Sequence, residues 1–333
     1  MEALLSALRA AAEPTRMRML MLCAETELTV TDLTRILGQS QPRVSRHLKL
    51  LCDAGLLDRV REGSWVFYRL SRAGVEAELA GRIMGLVPST DAQLVLDRER
   101  LGQIKQQRAA AAAAYFDRNA ENWHRIRSLH IDEREVERVL LDLVPPGSAD
   151  ELLDIGTGTG RMLEVLGPRV GSATGLDQSR EMLAVARANL ERANLHDGRL
   201  RHCSLRLGDM YKLPAPAAAF DLVTIHQVLH YAEEPAHAII EAARVLRPGG
   251  RLIVVDFAPH DLDELRDRHA HRRLGFADQE MADFATAAGL TVDPVIHMPG
   301  DPLTVSIWQA RKGDAAGRAP RAPVVATAPR AVS

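Results

Sequence analysis

The sequence is poor in thiols: Cys23, Cys52 and Cys203 are its three cysteines, and no CxxC or other ligand spacing joins them. A disulfide framework or a zinc ribbon needs paired, closely spaced cysteines, so both are excluded, and each thiol is expected to be buried and inert. No metal site is expected. Long apolar runs are missing too; none approaches the ~18 residues of a membrane-spanning helix. The N-terminal stretch carries Glu13, Arg16 and Arg18 and lacks an apolar segment with a small-residue cleavage site, so it does not read as a secretory signal. The expectation is a cytoplasmic protein without a membrane partner. Self-similarity at the roughly 20–50-residue period of repeat architectures is also absent.

Acid is missing from one particular stretch. Formal net charge is −2, and residues 1–85 hold 12 Lys and Arg against 10 Asp and Glu, a small excess. However, no acidic residue interrupts Leu33 to Cys52, where Arg35, Arg43, Arg46 and Lys49 fall. An anionic partner meets that local cluster rather than the sum.

What is present organises into two bodies. A chain of 333 residues, at about 150 per domain, predicts two domains. Residues 1–85 alternate short helical patterns with one hairpin. Residues 86–130 are Ala-, Gln- and charge-rich and read as a helical connector. Residues 131–312 alternate apolar runs such as ELLDIG, SATGLD, FDLVTIH and RLIVVDF with amphipathic stretches, the signature of an α/β domain with a mostly parallel sheet. Residues 313–333, rich in Ala, Pro and Arg without apolar periodicity, are expected to be disordered.

In the first domain, Thr29 followed three residues later by Asp32 predicts a capped helix start, and Gly38 its stop. Ser40 is then expected to cap a second helix, Gln41 to Cys52, in which Val44, Leu48 and Leu51 face a core. Its opposite face would present Gln41, Arg43, Ser45, Arg46, His47 and Lys49. Two short helices about a glycine turn, the second basic on its outer side, form a helix-turn-helix pattern. The alternating run LLDRVREGSWVFYRLS predicts a hairpin that would serve as a wing. Arg59, Arg61 and Arg69 are expected to reach phosphates of double-stranded DNA, and Gln41, Ser45 and Arg46 base edges. The competing reading is a partner-binding helical domain with a solvated basic face.

Through EPTRMRMLMLC, SQPRVSRHLKLLCDAGLL and REGSWVFYRLS, residues 5–85 resemble the ArsR/SmtB winged-helix repressors. That resemblance implies operator binding as a homodimer through this domain. Metalloid-sensing members carry a CxC in the helix before the turn, where this sequence has Thr29 and Thr31, and hydroxyls are poor ligands for soft metals. The family's other metal site uses Asp, His and Glu on the last helix of the domain; GVEAELAGRIMGLV has no His. Metal sensing is therefore not carried over.

In the second domain DIGTGTG places Gly156, Gly158 and Gly160 after a strand and before a helix, where backbone can approach a ligand and the helix N-terminus adds partial positive charge. Arg161 occupies the position of the third glycine of GxGxxG, so a dinucleotide fingerprint fits poorly. A second strand ends at Asp177, about twenty residues on, where an acid would bond ribose hydroxyls. A third ends in Gly208-Asp209-Met210, a fourth is FDLVTIHQVLHY, and a helix and Pro-Gly-Gly turn lead to a fifth.

This ordered set resembles the class I S-adenosylmethionine-dependent methyltransferases over residues 110–312. The resemblance implies that the glycine loop cradles the methionine part of the cofactor, with Asp154 near its amino-acid end. It further implies that Asp177 bonds the ribose, Asp209 the adenine amino group, and that Met210 packs on the adenine with Gln178 beside it. His226 and Gln227 would border the sulfonium, and Tyr115 matches a helix that lids the cofactor. Should the acceptor need deprotonation, His226 and His230 are the candidate bases.

The segment APHDLDELRDRHAHRRLGFADQEM collects His260, His269, His271, Arg272 and Arg273. His269 and His271, two apart, do not share a helix face and make a poor metal pair. A solvated helix surface is the first expectation, contact with an acidic acceptor or with the other domain the second. With only Cys203 in this domain, arsenic methylation is not expected.

The sequence thus predicts an α+β winged helix-turn-helix domain joined by a helical connector to a Rossmann-like methyltransferase domain. It reads as a transcriptional regulator that methylates a small molecule. The alternative is a catalytically silent repressor that senses S-adenosylmethionine or its product, S-adenosylhomocysteine.

Overall fold

A computed structural model describes residues 2–62, 65–71, 75–88, 90–119 and 133–313. The wing tip at Gly63 and Ser64, the connector's end from 120 to 132 and the tail from 314 lie outside them.

The first domain runs α1 (Glu2–Ala11), α2 (Pro14–Glu25), β1 (Leu28–Thr29), α3 (Val30–Leu37), α4 (Gln41–Asp53), β2 (Leu57–Glu62), β3 (Trp65–Leu70) and α5 (Val75–Gly85). Thr29 and Asp32 form a reciprocal capping box: the Thr29 hydroxyl accepts from Asp32 N, and the Asp32 carboxylate accepts from Thr29 N at 3.0 Å. Gly38, at φ 65°, closes α3 in the left-handed region that suits glycine. Ser40 precedes α4 in extended geometry, but its side chain makes no capping bond, contrary to expectation. Val44, Leu48 and Leu51 are wholly buried, each contributing about 1.5–3 kcal/mol. The hairpin forms as expected, and β1, too short to show a period, pairs with β3 to make a third strand.

The connector is α6 (Ala92–Asn119), and its first half belongs to the first domain's core. Leu101 and Ile104 pack there with Met19, Leu20 and Ile36. Asp97, almost wholly buried, takes both guanidinium contacts of Arg18 at 2.6 and 2.7 Å. The winged-helix core therefore extends past residue 85 to Ile104.

The second domain continues with α7 (Glu133–Leu143), β4 (Glu151–Ile155), α8 (Arg161–Leu166), β5 (Ser172–Asp177), α9 (Arg180–Asp197), β6 (Cys203–Leu207) and β7 (Phe220–His226). It ends with α10 (Pro235–Val245), β8 (Leu246–Phe257), α11 (Asp263–His269), α12 (Asp278–Ala287), β9 (Leu290–Val292), β10 (Ile296–Met298) and β11 (Val305–Lys312). The sheet order is β10-β11-β8-β7-β4-β5-β6, with β9 also on β11. Strands β4 to β8 pair in parallel and β11 antiparallel to β8. Alternate residues enter opposite cores: Leu153, Val223 and Val254 face α10 and α12, whereas Leu152, Leu222 and Ile253 face α7 and α8. The Pro-Gly-Gly turn is absorbed into β8, with a register shift between Phe220 and Leu222 on its neighbour. The chain runs outward from β4 through β5 to β6 and then crosses back to β7 on the other side of β4, so a crevice opens at the carboxyl ends of β4 and β7, where open α/β sheets bind ligands.

Candidate functional site

The outer face of α4 carries Gln41, Arg43, Ser45, Arg46 and Lys49, all exposed. His47 departs from expectation: it is half-buried and turned toward Glu13, with 3.7 Å between Nδ1 and the carboxylate. Its burial holds the imidazole below its ordinary pKa; Glu13 opposes this, while Arg16, Arg43 and Arg46 add to it. Lying three residues after Val44 and four before Leu51, His47 falls in the apolar stripe, a signal the sequence carried. Arg59 and Arg61 are exposed on β2, but Arg69 is committed to the base of the wing, 3.2 Å from Glu27 and 3.8 Å from Asp58. Where the metalloid sensors have cysteines, Thr29 is the cap of α3 and Thr31 is exposed.

In the second domain a cavity of about 430 Å³ opens at the crevice. Asp154, Gly156, Gly158, Asp177, Gln178 and Met210 line it, with His226 and Gln227. Gly156 has φ 70°, and a Cβ there would lie 2.5 Å from Val228, so the turn admits no side chain. Asp154 is fixed by the Thr224 hydroxyl, which donates to it at 2.7 Å across β4 and β7. The Asp177 carboxylate accepts from Gly158 N at 2.8 Å and Ser179 N at 2.9 Å. Burial raises its pKa, more than these backbone bonds lower it.

Four expected residues are placed elsewhere or not described. Gly160 starts α8 and packs toward Ala186 rather than lining the cavity. Asp209, exposed between Gly208 and Met210, accepts from Tyr211 N at 2.9 Å and is not on the cavity wall. His230 lies behind Tyr231: its Nδ1 is 2.7 Å from Asp256, and its ring is 4.0 Å from that of Tyr231 and 4.1 Å from that of His271. Tyr115 falls on α6, but its side chain lies outside the described residues.

Other wall residues were not foreseen. Lys105, Gln106 and Phe116 come from α6, and Phe116 meets Tyr231 edge-on at 4.8 Å. Lys105 pairs with Glu234, and Arg272 with Glu233. The Tyr211 hydroxyl accepts from the N–H groups of Glu233 and Glu234 at 2.8 and 3.1 Å and is pushed up in pKa by burial. AEEP directly follows the run FDLVTIHQVLHY, so the strand-end rule could have found these acids; nothing in α6 says what it passes over.

The region around His260 is also corrected. It is not one solvated helix: α11 stops at His269, Ala270 turns left-handed, and His271 and Arg266 are buried. Burial pushes His260 down to about 4, with His230 adding to the effect. The thiols are less uniform than expected: Cys23 is buried and its pKa raised, whereas Cys52 and Cys203 are half-buried and pushed up to about 11, chiefly by desolvation. Among the described residues no three His, Cys, Asp or Glu cluster as metal ligands would, and no helix is long and apolar enough to cross a membrane.

The cavity fits an adenosyl cofactor on its own chemistry. Thr157 Oγ1 and Gln227 Nε2 are buried on its wall without hydrogen-bond partners, Asp177 offers a desolvated carboxylate to a diol, and the glycine turn leaves backbone open to a ligand.

Comparison with known proteins agrees with both halves. Residues 13–59 match the family described as bacterial regulatory protein, arsR family, and residues 153–254 match the methyltransferase domain. The chain is 30% identical over 196 residues to an uncharacterized 37.1 kDa protein of a Streptomyces fradiae transposon, covering 54% of this chain and 53% of that one. It is 32% identical over 170 residues to the ubiquinone/menaquinone biosynthesis C-methyltransferase of Roseobacter denitrificans, covering 50% of this chain and 63% of the relative. The chain thus spans between about half and two-thirds of these relatives' lengths. Among solved structures, a chain of the complex between the Haloferax volcanii Trm112 methyltransferase activator and a candidate methyltransferase matches with TM-score 0.50 and 22% identity, over 60% of this chain and 97% of that one, which shows the fold.

Proposed function

We propose that this chain, in which an arsR-family DNA-binding domain is fused to a methyltransferase domain, is a transcriptional regulator that methylates a small molecule with S-adenosylmethionine. The observation that carries this reading is the cavity over the Gly156–Gly158 turn, walled by Asp177 and by the unpartnered Gln227 Nε2.

In this reading Asp177 accepts the ribose hydroxyls, Asp154 and the glycine turn hold the amino-acid end, and Met210 with Leu176 and Gln178 borders the adenine. Asp209, which lies outside the wall although its neighbours Gly208 and Met210 line it, is left out of the adenine contacts. Bound S-adenosylmethionine supplies an electrophilic methyl group on a sulfonium. The chain contributes alignment of that group with the acceptor and exclusion of water by Phe116, Met182, Val228 and Tyr231. These apolar walls suit an apolar acceptor, in keeping with the quinone named for the Roseobacter relative. His226, at the carboxyl end of β7, is the cavity histidine that can take an acceptor proton; His230, shielded by Tyr231, holds Asp256 instead. On the DNA side a homodimer sets α4 of each copy against one operator half-site, with Arg46 reading bases and Arg61 holding phosphate.

A second reading, a silent sensor of S-adenosylmethionine or S-adenosylhomocysteine, is favoured by one observation: α6, rooted in the winged-helix core, also lines the cavity. Mobility shifts on DNA from the gene's upstream region, with and without either ligand, test the regulator. Calorimetry with both ligands and conversion of labelled S-adenosylmethionine in the presence of quinols test the enzyme. Ligand binding without conversion supports the sensor; absence of both DNA and ligand binding removes both readings.

A further inference from the structure

Arg272 and Arg273 are neighbours in sequence that act on opposite sides of one wall. Arg272 lines the cavity and pairs with Glu233. Arg273 turns the other way, its guanidinium 3.1 Å from Glu27 of the winged-helix domain and 3.2 Å from Glu280 on α12. Both backbone N–H groups donate to the same carbonyl, that of His230, at 2.8 and 3.1 Å. His230 sits in the 3-10 turn that also places Tyr231 on the cavity wall. Beyond the interface the charges continue: Glu27 accepts from Arg69 of β3, and Arg69 lies 3.8 Å from Asp58 of β2. A second contact runs alongside, with the Arg266 guanidinium 5.0 Å from the Trp65 ring and 5.8 Å from that of Phe67, both on β3.

We infer that residues 258–277 form a transmission element, which passes occupancy of the cofactor cavity to the wing of the DNA-binding domain through Arg273–Glu27 and Arg266–Trp65. The inference rests on the cavity being the S-adenosylmethionine site. A ligand shifts a conformational equilibrium only through contacts that differ between the two states, and Tyr231 and Arg272 are the contacts available here. They cannot adjust alone. His230 is held at both Nδ1 and backbone N by the fully buried Asp256, and it stacks on His271 within the same segment. A packed, hydrogen-bonded cluster moves as a unit rather than absorbing a displacement. At the far end, Arg273 and Glu27 have side chains only 12% and 15% exposed, so the ion pair is well shielded from water. A movement there reaches β3 and, through six paired residues, β2, which carries Arg59 and Arg61.

The test uses the full chain and S-adenosylhomocysteine. Calorimetry establishes binding, and hydrogen–deuterium exchange of β1, β2 and β3 is compared with and without ligand. Binding is expected to change wing exchange in the wild type; Arg273→Gln should bind S-adenosylhomocysteine yet lose that change, and Arg273→Lys should keep it. Operator affinity should follow the same pattern, with a ligand effect of about 5-fold or more, the lower end of typical coupling, in the wild type and none in Arg273→Gln. Should Arg273→Gln misfold, Glu27→Gln removes the same pair from the other side. A wing response that survives Arg273→Gln or Glu27→Gln when each is combined with Arg266→Gln, which removes the second contact, overturns the inference in favour of transmission along α6. An unresponsive wing in a wild type that binds the ligand overturns it outright. Absence of binding instead removes the cofactor reading itself, and the inference with it.

Discussion

The two domains hold their functional side chains in opposite ways. On α4, Arg43, Arg46 and Lys49 stand in solvent above a separate apolar stripe of Val44, Leu48 and Leu51. Around the cavity, Asp154, Gly156 and Gln227 are embedded at the carboxyl ends of the central strands β4 and β7, their positions fixed by Thr224, Val228 and the Val255 carbonyl. A long polyanion is met by a surface, and its reading groups can be exchanged without touching the core. A small cofactor must be enclosed, so the groups that bind it are also groups that build the fold.

The sharpest break of that comparison pits two glycines of nearly equal φ against each other. At Gly38 (65°) an added Cβ would have nothing within 4 Å, whereas at Gly156 (70°) it meets both Val228 methyls at 2.5 and 2.7 Å. Gly38→Ala should cost about 1–2 kcal/mol, the left-handed penalty alone. Gly156→Ala adds overpacking of about 1–3 kcal/mol and should abolish cofactor binding. Urea unfolding followed separately in each domain measures the difference; equal losses at both sites would merge the two cases.

Next in size is Asp177→Ala. Losing charge-assisted bonds worth about 1.5–3 kcal/mol should weaken S-adenosylmethionine binding roughly 10–100-fold by calorimetry. The anion is the accepting form, and burial raises the pKa of Asp177, so wild-type affinity should hold at neutral pH and fall as pH drops through that raised value. The variant should lose this pH dependence. An unchanged affinity would remove Asp177 from the ribose.

Arg46→Ala probes the other half of the comparison. Loss of a base contact should cost about 1–3 kcal/mol of discrimination and relax operator preference, while stability stays within about 0.5 kcal/mol. A clear drop in stability would show that the reading face is not separable from the core.

How much of this was legible in the sequence follows the same division. The capping box of Thr29 and Asp32, the Gly38 stop and the glycine turn after β4 are local patterns, and the structure realises them. The strand-end rule located the cavity but not the direction of each side chain. It could not tell that His226 faces the ligand space while His230, four residues on, faces Asp256. Arg69 alternates as a wing residue should, and only the fold brings Glu27 to it. Lys105 and Gln106 gave no signal because helical periodicity specifies a face and not what the face meets. The His- and Arg-rich stretch read as solvated by composition, yet tertiary packing buries Arg266, which lies over Trp65 of the wing, and His271, which stacks on His230 and Phe257.

The smallest expected effect separates phosphate contact from base reading within the exposed surface. Arg61 lies on β2 at the position paired with Val66, and it is exposed. A phosphate contact of this kind releases about one counterion, so Arg61→Ala should lower the slope of log affinity against log salt by about 0.9. It should weaken operator and unrelated DNA alike, in contrast to Arg46→Ala, which should act mainly on the operator. Binding titrations across a salt series on both DNAs give the slope and the ratio together. A changed ratio with an unchanged slope would move Arg61 from the backbone to a base. The wing would then join α4 as a reading element, and transmission through β3 would alter which operator is chosen as well as how tightly DNA is held.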